Sequence, residues 1–579
     1  MKKKVVPILA ALVLIVIVAV IGVTTKLIEK YMPSDQRVDA KTYYNLQTDQ
    51  ETALIVSEQL VEKKGIIENG VAYIDYDTVK EHLNHRFFWD ANENQLRYTT
   101  PVDVISVGVG SKDYSVLNTN NTENYNIVKV DGSQVYIAAD FVKKFTQMEY
   151  QVFEDPNRMV ITNNFGDTNV STLKKAGEIR TTGGVKSDIV YSAKKGESLG
   201  VIEKMDKWSK VITEDGYIGY IENKLLSESK VVERTYTGDV IEPEYTSLTK
   251  DTKINLVWHN TTNQDANARL LDLLSTTKGL TTIAPTWFSV ADANGNIDSS
   301  LASETYVSHA HDKKLEVWGV VTDFPTEESP IDIDEILSYS SKRDTMTNQL
   351  IAVAINYNLD GINVDFEHIG IGVPEDQLND AGENFIQFIR ELSVKCRKNG
   401  IILSVDNLVP QSFNAYYNRK EQGIVADYVI NMGYDEHHAT DDTAGPVASL
   451  PYVKQSIEDT VAEVDSKKVI NAVPFYSRLW TEKTDENGET VLESASYGMD
   501  TSQNILNQKG VEKVWLEDVG SYYAEFEDEN GLNKIWLEEE DSMELKVQLI
   551  KEYDLGGVAE WCLSYERPSI WDVILKYVN

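Results

Sequence analysis

The chain has 579 residues, enough for about four domains of ordinary size. Hydrophobic residues make up 42% and charged residues 25%, so it can bury real cores and is neither fibrous nor disordered. Acidic residues outnumber basic ones 92 to 55, and the formal net charge of −37 argues against a protein that grips nucleic acid by its phosphates. The only cysteines, Cys396 and Cys562, cannot form a disulfide framework or a cysteine zinc site.

In chain order, Lys2, Lys3 and Lys4 precede an uncharged apolar run at residues 5–23. At about 1.5 Å per helical residue such a run just crosses a hydrocarbon core about 30 Å thick. The exit, Val23-Thr24-Thr25-Lys26, offers no small-x-small cleavage site, so residues 1–25 read as an uncleaved transmembrane anchor rather than a signal peptide. Lysines before the span predict a cytoplasmic N-terminus and an extracellular remainder. Residues 26–64 are polar and helix-prone and read as a stalk.

An internal repeat follows over 65–166. Val71-Ala72-Tyr73-Ile74-Asp75, Val79-Lys80 and Phe88-Trp89-Asp90 recur as Gln134 to Ala138, Val142-Lys143 and Val152-Phe153-Glu154, at an offset of 63 to 64 residues. Each copy predicts strand, short helix, strand, turn, strand. The pattern resembles the tandem α+β repeats named after the amine oxidase N-terminus, which implies a spacer or wall-contacting module without copper chemistry. Over 177–228, short strands around Trp208-Ser209-Lys210-Val211 and Tyr217-Ile218-Gly219-Tyr220-Ile221 alternate with glycine turns. They resemble a bacterial Src-homology-3-like barrel, whose aromatics serve either wall-peptide binding or its own small core.

From residue 250 the texture changes. Eight short apolar strands are predicted at 254–258, 281–285, 315–321, 361–367, 401–406, 428–434, 469–475 and 557–561, most separated by helical patterns. Eight such units fit an α/β fold, a closed (β/α)8 TIM barrel over 250–579, with an acidic insertion at 481–540.

The stretch from Leu359 to Glu367 carries the chemistry. Strand alternation puts Asn363, Asp365 and Glu367 on one face and Ile362, Val364 and Phe366 on the other. In a parallel barrel the polar face points inward and its last residues reach the C-terminal mouth, where catalysis sits. Neighbouring carboxylates repel, which keeps one protonated near neutrality and makes a general acid. Asn363 is expected to donate its amide to Asp365 and favour the charged form there.

This stretch resembles the D-G-x-D-x-D-x-E signature of glycoside hydrolase family 18, the chitinases and related N-acetylglucosaminidases. Met432-Gly433-Tyr434-Asp435, Val473-Pro474-Phe475-Tyr476-Ser477-Arg478 and Gly556 to Trp561 resemble the family's sixth, seventh and eighth strand ends, with Ser477 in place of a glycine. Asn363 stands where most members have aspartate, as in the spore-cortex and cell-wall branch. The resemblance implies substrate-assisted cleavage without a cofactor. Glu367 would protonate the glycosidic oxygen, Asp365 would orient the acetamido group, and Tyr434 would bond its oxygen. Asp360, Asn363, Asp435, Tyr476 and Arg478 are implied substrate contacts, and Trp561 the floor under the sugar. Trp287 and Trp318 read equally as sugar contacts or as core. His368, His437 and His438 lack metal-ligand spacing and read as loop residues. A carbohydrate-binding wall protein without turnover is the competing reading, and the retained Glu367 separates the two.

Overall fold

A computed structural model describes residues 2–325, 330–484 and 490–578. The chain divides into two compact units, one made of Met1–Trp89 and Ser106–Glu242, the other of Asp90–Ile105 and Pro243–Asn579.

The first unit begins with a helix over Lys2–Tyr31, on which Leu9, Leu14, Ile15, Val18 and Ile21 are exposed. Among the described residues no helix is long and apolar enough to cross a membrane. The described side chains of this helix, at 7 and 9–25, fall short of the roughly 20 residues that a span takes. The expected transmembrane segment is therefore not shown. The stalk reading of 26–64 needs correction. Glu51–Val56 and Gln59–Glu68 are strands, and Ala53, Leu54, Ile55 and Val56 are buried in a seven-stranded sheet. Their run is short, and its weight emerges only when Arg158–Thr162 pairs with it in parallel, Ala53 opposite Arg158. In the same sheet the two copies of the repeat meet: Val71–Asp75 lies antiparallel to Gln134–Ala138, with Ile74 opposite Ile137.

Residues 166–234 form a second seven-stranded antiparallel sheet around Leu173, Ile179, Leu199, Val211 and Ile221. Tyr191 and Tyr217 stack at 5.1 Å and pack with Tyr43 and Tyr44, so these two aromatics serve packing within the unit.

The second unit is the barrel. Its strands are β1 (Ile254–His259), β2 (Thr282–Pro285), β3 (Glu316–Thr322), β4 (Gly361–Asp365), β5 (Ile402–Leu408), β6 (Tyr428–Met432), β7 (Val469–Pro474) and β8 (Gly557–Trp561). All pair in parallel, β8 beside β1 and β2 beside β3, so the sheet closes on itself. Leu256, Trp258, Trp318, Ile430 and Ala559 fill its interior, while Val257, Val364, Val405 and Val558 face the surrounding helices. Trp318 stacks on Tyr428 at 5.5 Å and is fully buried, which settles it as core.

The insertion starts earlier than the sequence suggests. Tyr476–Thr484 leaves β7 directly and joins Thr490–Gly498, Gly531–Leu537, Ser521–Asp528 and Val514–Leu516 in an antiparallel sheet backed by the helix Met499–Lys509. Residues 485–489 of the predicted insertion lie outside the described residues.

Candidate active site

The mouth of the barrel at the strand C-termini holds a cavity of about 1020 Å³. Trp258, Trp287, Asp365, Glu367, Asp406 and Tyr434 are among its walls, with Asp435, Tyr476 and Trp561. Seven of the residues expected to act on substrate thus converge there. None of the described residues lining it is basic, and Asp298 adds another acid. Such a cavity suits a neutral ligand on which positive charge develops.

Local packing fixes why β4 delivers these groups. Gly361 lies so close to the Trp318 ring that a Cβ would sit 2.7 Å from it, so the strand enters the barrel only with glycine here. Asp360, one residue earlier, is at the opposite end of the strand from the cavity. Its Oδ2 accepts from the Val317 amide and from His311 Nε2, both at 2.8 Å. Asp360 is therefore a strand-end anchor and not a substrate contact, because it precedes Asp365 by most of a strand's length.

Asn363 also departs from expectation. It is fully buried and does not line the cavity. Its Oδ1 accepts from Trp258 Nε1 at 2.9 Å, and its Nδ2 donates to Ser404 Oγ at 2.9 Å and to Asp406 Oδ1 at 2.7 Å. Both amide protons are used, so none is left for Asp365, whose Oδ1 has no hydrogen-bond partner among the described residues. The neighbour on β5 outcompetes the neighbour along the strand because i and i+2 side chains stand parallel rather than facing each other.

Glu367 follows β4 and is half-buried. Asp323, just after β3, holds the turn: its carboxylate accepts from the Glu367 amide at 3.0 Å and the His368 amide at 2.9 Å, and meets His368 Nδ1 at 3.0 Å. Burial pushes the Glu367 carboxyl up to about 7; Asp323 and Asp435 push the same way and the His368 charge opposes them. Burial, aided by Glu367, Asp406 and Asp323, holds Asp365 well above the usual carboxylate range.

At the other wall, Asp435 Oδ1 accepts from the Tyr476 hydroxyl at 2.6 Å and Arg478 Nη2 at 2.8 Å. Arg478 does not line the cavity and reaches it only through Asp435. Ser477 is buried, and its Oγ accepts from the Glu538 amide at 2.8 Å, a bond glycine could not make. The Tyr434 ring stands 6.3 Å from that of Tyr476, edge to face. Trp561, at the end of β8, lies 6.0 Å from Trp258, tilted by 55°. Trp287 contributes to the cavity wall although its indole N–H donates to Asn267 Oδ1 at 2.9 Å and it packs on Tyr306, so it combines core and wall.

Sequence reasoning missed Asp406, Asp323 and Trp258. Asp406 had a signal: Ser404 and Asp406 repeat on β5 the two-residue polar alternation of Asn363 and Asp365. Asp323 and Trp258 had none, since a single acid after a strand and a tryptophan within an apolar one are ordinary.

Residues 257–566 match the family model of glycosyl hydrolases family 18, and 175–227 match that of the bacterial SH3 domain. The uncharacterized glycosylase YvbX of Bacillus subtilis is 27% identical over 49% of this chain and 81% of its own. The cortical fragment-lytic enzyme of the same organism is 23% identical over 42% of this chain and 56% of its own. Among solved structures, the C-terminal domain of a Desulfitobacterium hafniense protein superimposes with a TM-score of 0.50 and 19% identity, covering 57% of this chain and all of that one.

Proposed function

The chain belongs to glycosyl hydrolases family 18, and from that premise we propose that it cleaves β-1,4-linked N-acetylglucosamine glycans of the cell wall by substrate-assisted, retaining catalysis. The observation that carries this reading is Glu367, a half-buried acid at the barrel mouth whose carboxyl is pushed up to about 7. It can therefore hold a proton at neutrality and give it away. In the proposed reaction Glu367 protonates the glycosidic oxygen as the C1–O bond breaks. The sugar's own acetamido oxygen bonds to C1, and the resulting oxazolinium faces an ionised Asp365. The Tyr434 hydroxyl donates to that acetamido oxygen, and Trp561 stacks beneath the ring. Water then attacks C1 as the bond from C1 to the acetamido oxygen breaks, and it loses its proton to Glu367, which restores the acid and the acetamide.

Peptidoglycan is the preferred polymer. The departure at Asn363 and the likeness to a protein named cortical fragment-lytic enzyme both favour it over chitin. The apolar run at 5–23 behind three lysines supports anchoring at the membrane with the barrel outside. The paired repeats and the SH3 domain are read as spacer and wall-contacting modules.

The test is release of reducing ends from purified peptidoglycan and from chitin oligomers by the detergent-solubilised full chain, beside Glu367→Gln. The wild type should release them, faster from peptidoglycan, and the variant should lose at least about a hundredfold in rate. A wild type inactive on every N-acetylglucosamine polymer would leave the competing reading, a wall-binding protein without turnover.

A further inference from the structure

Asp406 is a buried acid that the reaction above leaves without a task. It sits on β5, one strand over from Asp365: Val364 pairs with Val405 in parallel register, so 365 and 406 form the next pair, their backbones about 4.8 Å apart. Both side chains turn into the barrel, as Asn363 and Ser404 do two residues earlier. Asp406 Oδ1 is held by Asn363 Nδ2 at 2.7 Å, but among the described residues its Oδ2 has no hydrogen-bond partner, and neither has Oδ1 of Asp365. Both residues reach the cavity wall.

Among the described residues no lysine, arginine or histidine bonds to either carboxylate of this pair. Beside it stand Glu367 just after β4, Asp323 just after β3 and Tyr434 just after β6, while Asp435 acts on Glu367; Trp258 and Ser404 are neutral. His368 is bonded to Asp323 and Arg478 to Asp435, one residue further out in each case. Two ionised carboxylates side by side in such surroundings are untenable, and two bare buried oxygens are costly. A single proton between them removes both difficulties.

We propose that Asp406 is the positioning acid of the site: it shares one proton with Asp365, and Asn363 decides which of the two holds the charge. In the empty cavity Asn363 keeps the charge on Asp406, and Asp365 carries the proton. When the acetamido N–H engages Asp365, that proton passes to Asp406 Oδ2. One O–H bond breaks and one forms, the pair keeps a charge of −1, and Asp365 becomes the anion that faces the oxazolinium. This rests on the role given to Asp365 above.

The shape-preserving variant Asp406→Asn tests it, in the solubilised full chain with N-acetylglucosamine oligomers. We expect kcat to fall about tenfold or more with KM within about twofold, and the acid limb of the rate profile to move to higher pH. The limb moves because a lone buried carboxyl ionises less readily than one of a proton-sharing pair. The double variant Asn363→Asp with Asp406→Asn returns a carboxyl to the same inward face of β4, two residues before Asp365, and should recover most of kcat and the original limb. The proposal is overturned if Asp406→Asn keeps the wild-type kcat and limb, or if the double variant melts like the wild type yet is no faster than the single one. Should the double variant unfold, or should the wild type be inactive and the hydrolase reading fail, the infrared band of protonated carboxyl groups decides alone. At about pH 8, above Glu367, it should be present in the wild type and weaker in Asp406→Asn. An unchanged band sinks the proton-sharing pair.

Discussion

Glu367 keeps its proton near neutrality because burial, Asp323 and Asp435 together outweigh the His368 charge. The acid works only while protonated, so kcat/KM should fall about tenfold per pH unit above an alkaline limb near 7. Replacing His368 with Asn removes the one influence that lowers the carboxyl, so that limb should move to higher pH. A pH–rate profile of the two proteins checks both statements, and an unmoved limb would show that His368 does not act on Glu367. At the same scale, Asn363 shows how a correct face assignment can still misname a partner. Its position on the inward face was legible, but its two amide protons go across to Ser404 and Asp406 rather than along the strand to Asp365.

At the scale of elements, the segment Asp90–Ile105 belongs with the barrel although it lies inside the first repeat. Arg97, on the strand Gln95–Thr99, explains why. It is almost fully buried, pairs with Asp344 at 2.6 Å, and reaches Glu391, which Arg343 also holds at 3.1 Å. Asp90 accepts from the Ser340 amide at 2.6 Å, at the start of the helix Ser340–Asn356. Asp344 is on that same helix, and Glu391 on the helix Leu378–Asn399. Without Arg97, Glu391 keeps Arg343 and the partly exposed Asp344 keeps water, so what is lost is a set of charge-assisted hydrogen bonds, at a cost of about 1.5–3 kcal/mol. Arg97→Met should therefore destabilise the barrel by about that amount in chemical denaturation followed by tryptophan fluorescence. A change within about 0.5 kcal/mol would mean that the pair adds nothing to barrel stability. The insertion is hidden for a similar reason: only Phe475 separates its first strand from β7, so no loop signal marked its start.

For the whole molecule, the acidic balance and the N-terminal lysines bear on where the enzyme works. If residues 5–23 anchor it with the barrel outside, protease added to intact cells should destroy the barrel and leave a short membrane-bound fragment. A barrel that survives until the cells are lysed would place it inside instead. The parts of this protein that depend on local periodicity could be read from sequence alone. Eight apolar strands at regular spacing, the alternation through Asn363, Asp365 and Glu367, and the SH3-like glycine turns each follow from geometry repeated every few residues. What depends on contacts between distant segments could not. The parallel pairing of Glu51–Val56 with Arg158–Thr162, the burial of Arg97 against helices some 250 to 290 residues away, and the placing of Asp406 beside Asp365 arise only when the chain closes. A strand's pattern says which face a side chain takes, but the fold alone decides what stands opposite it.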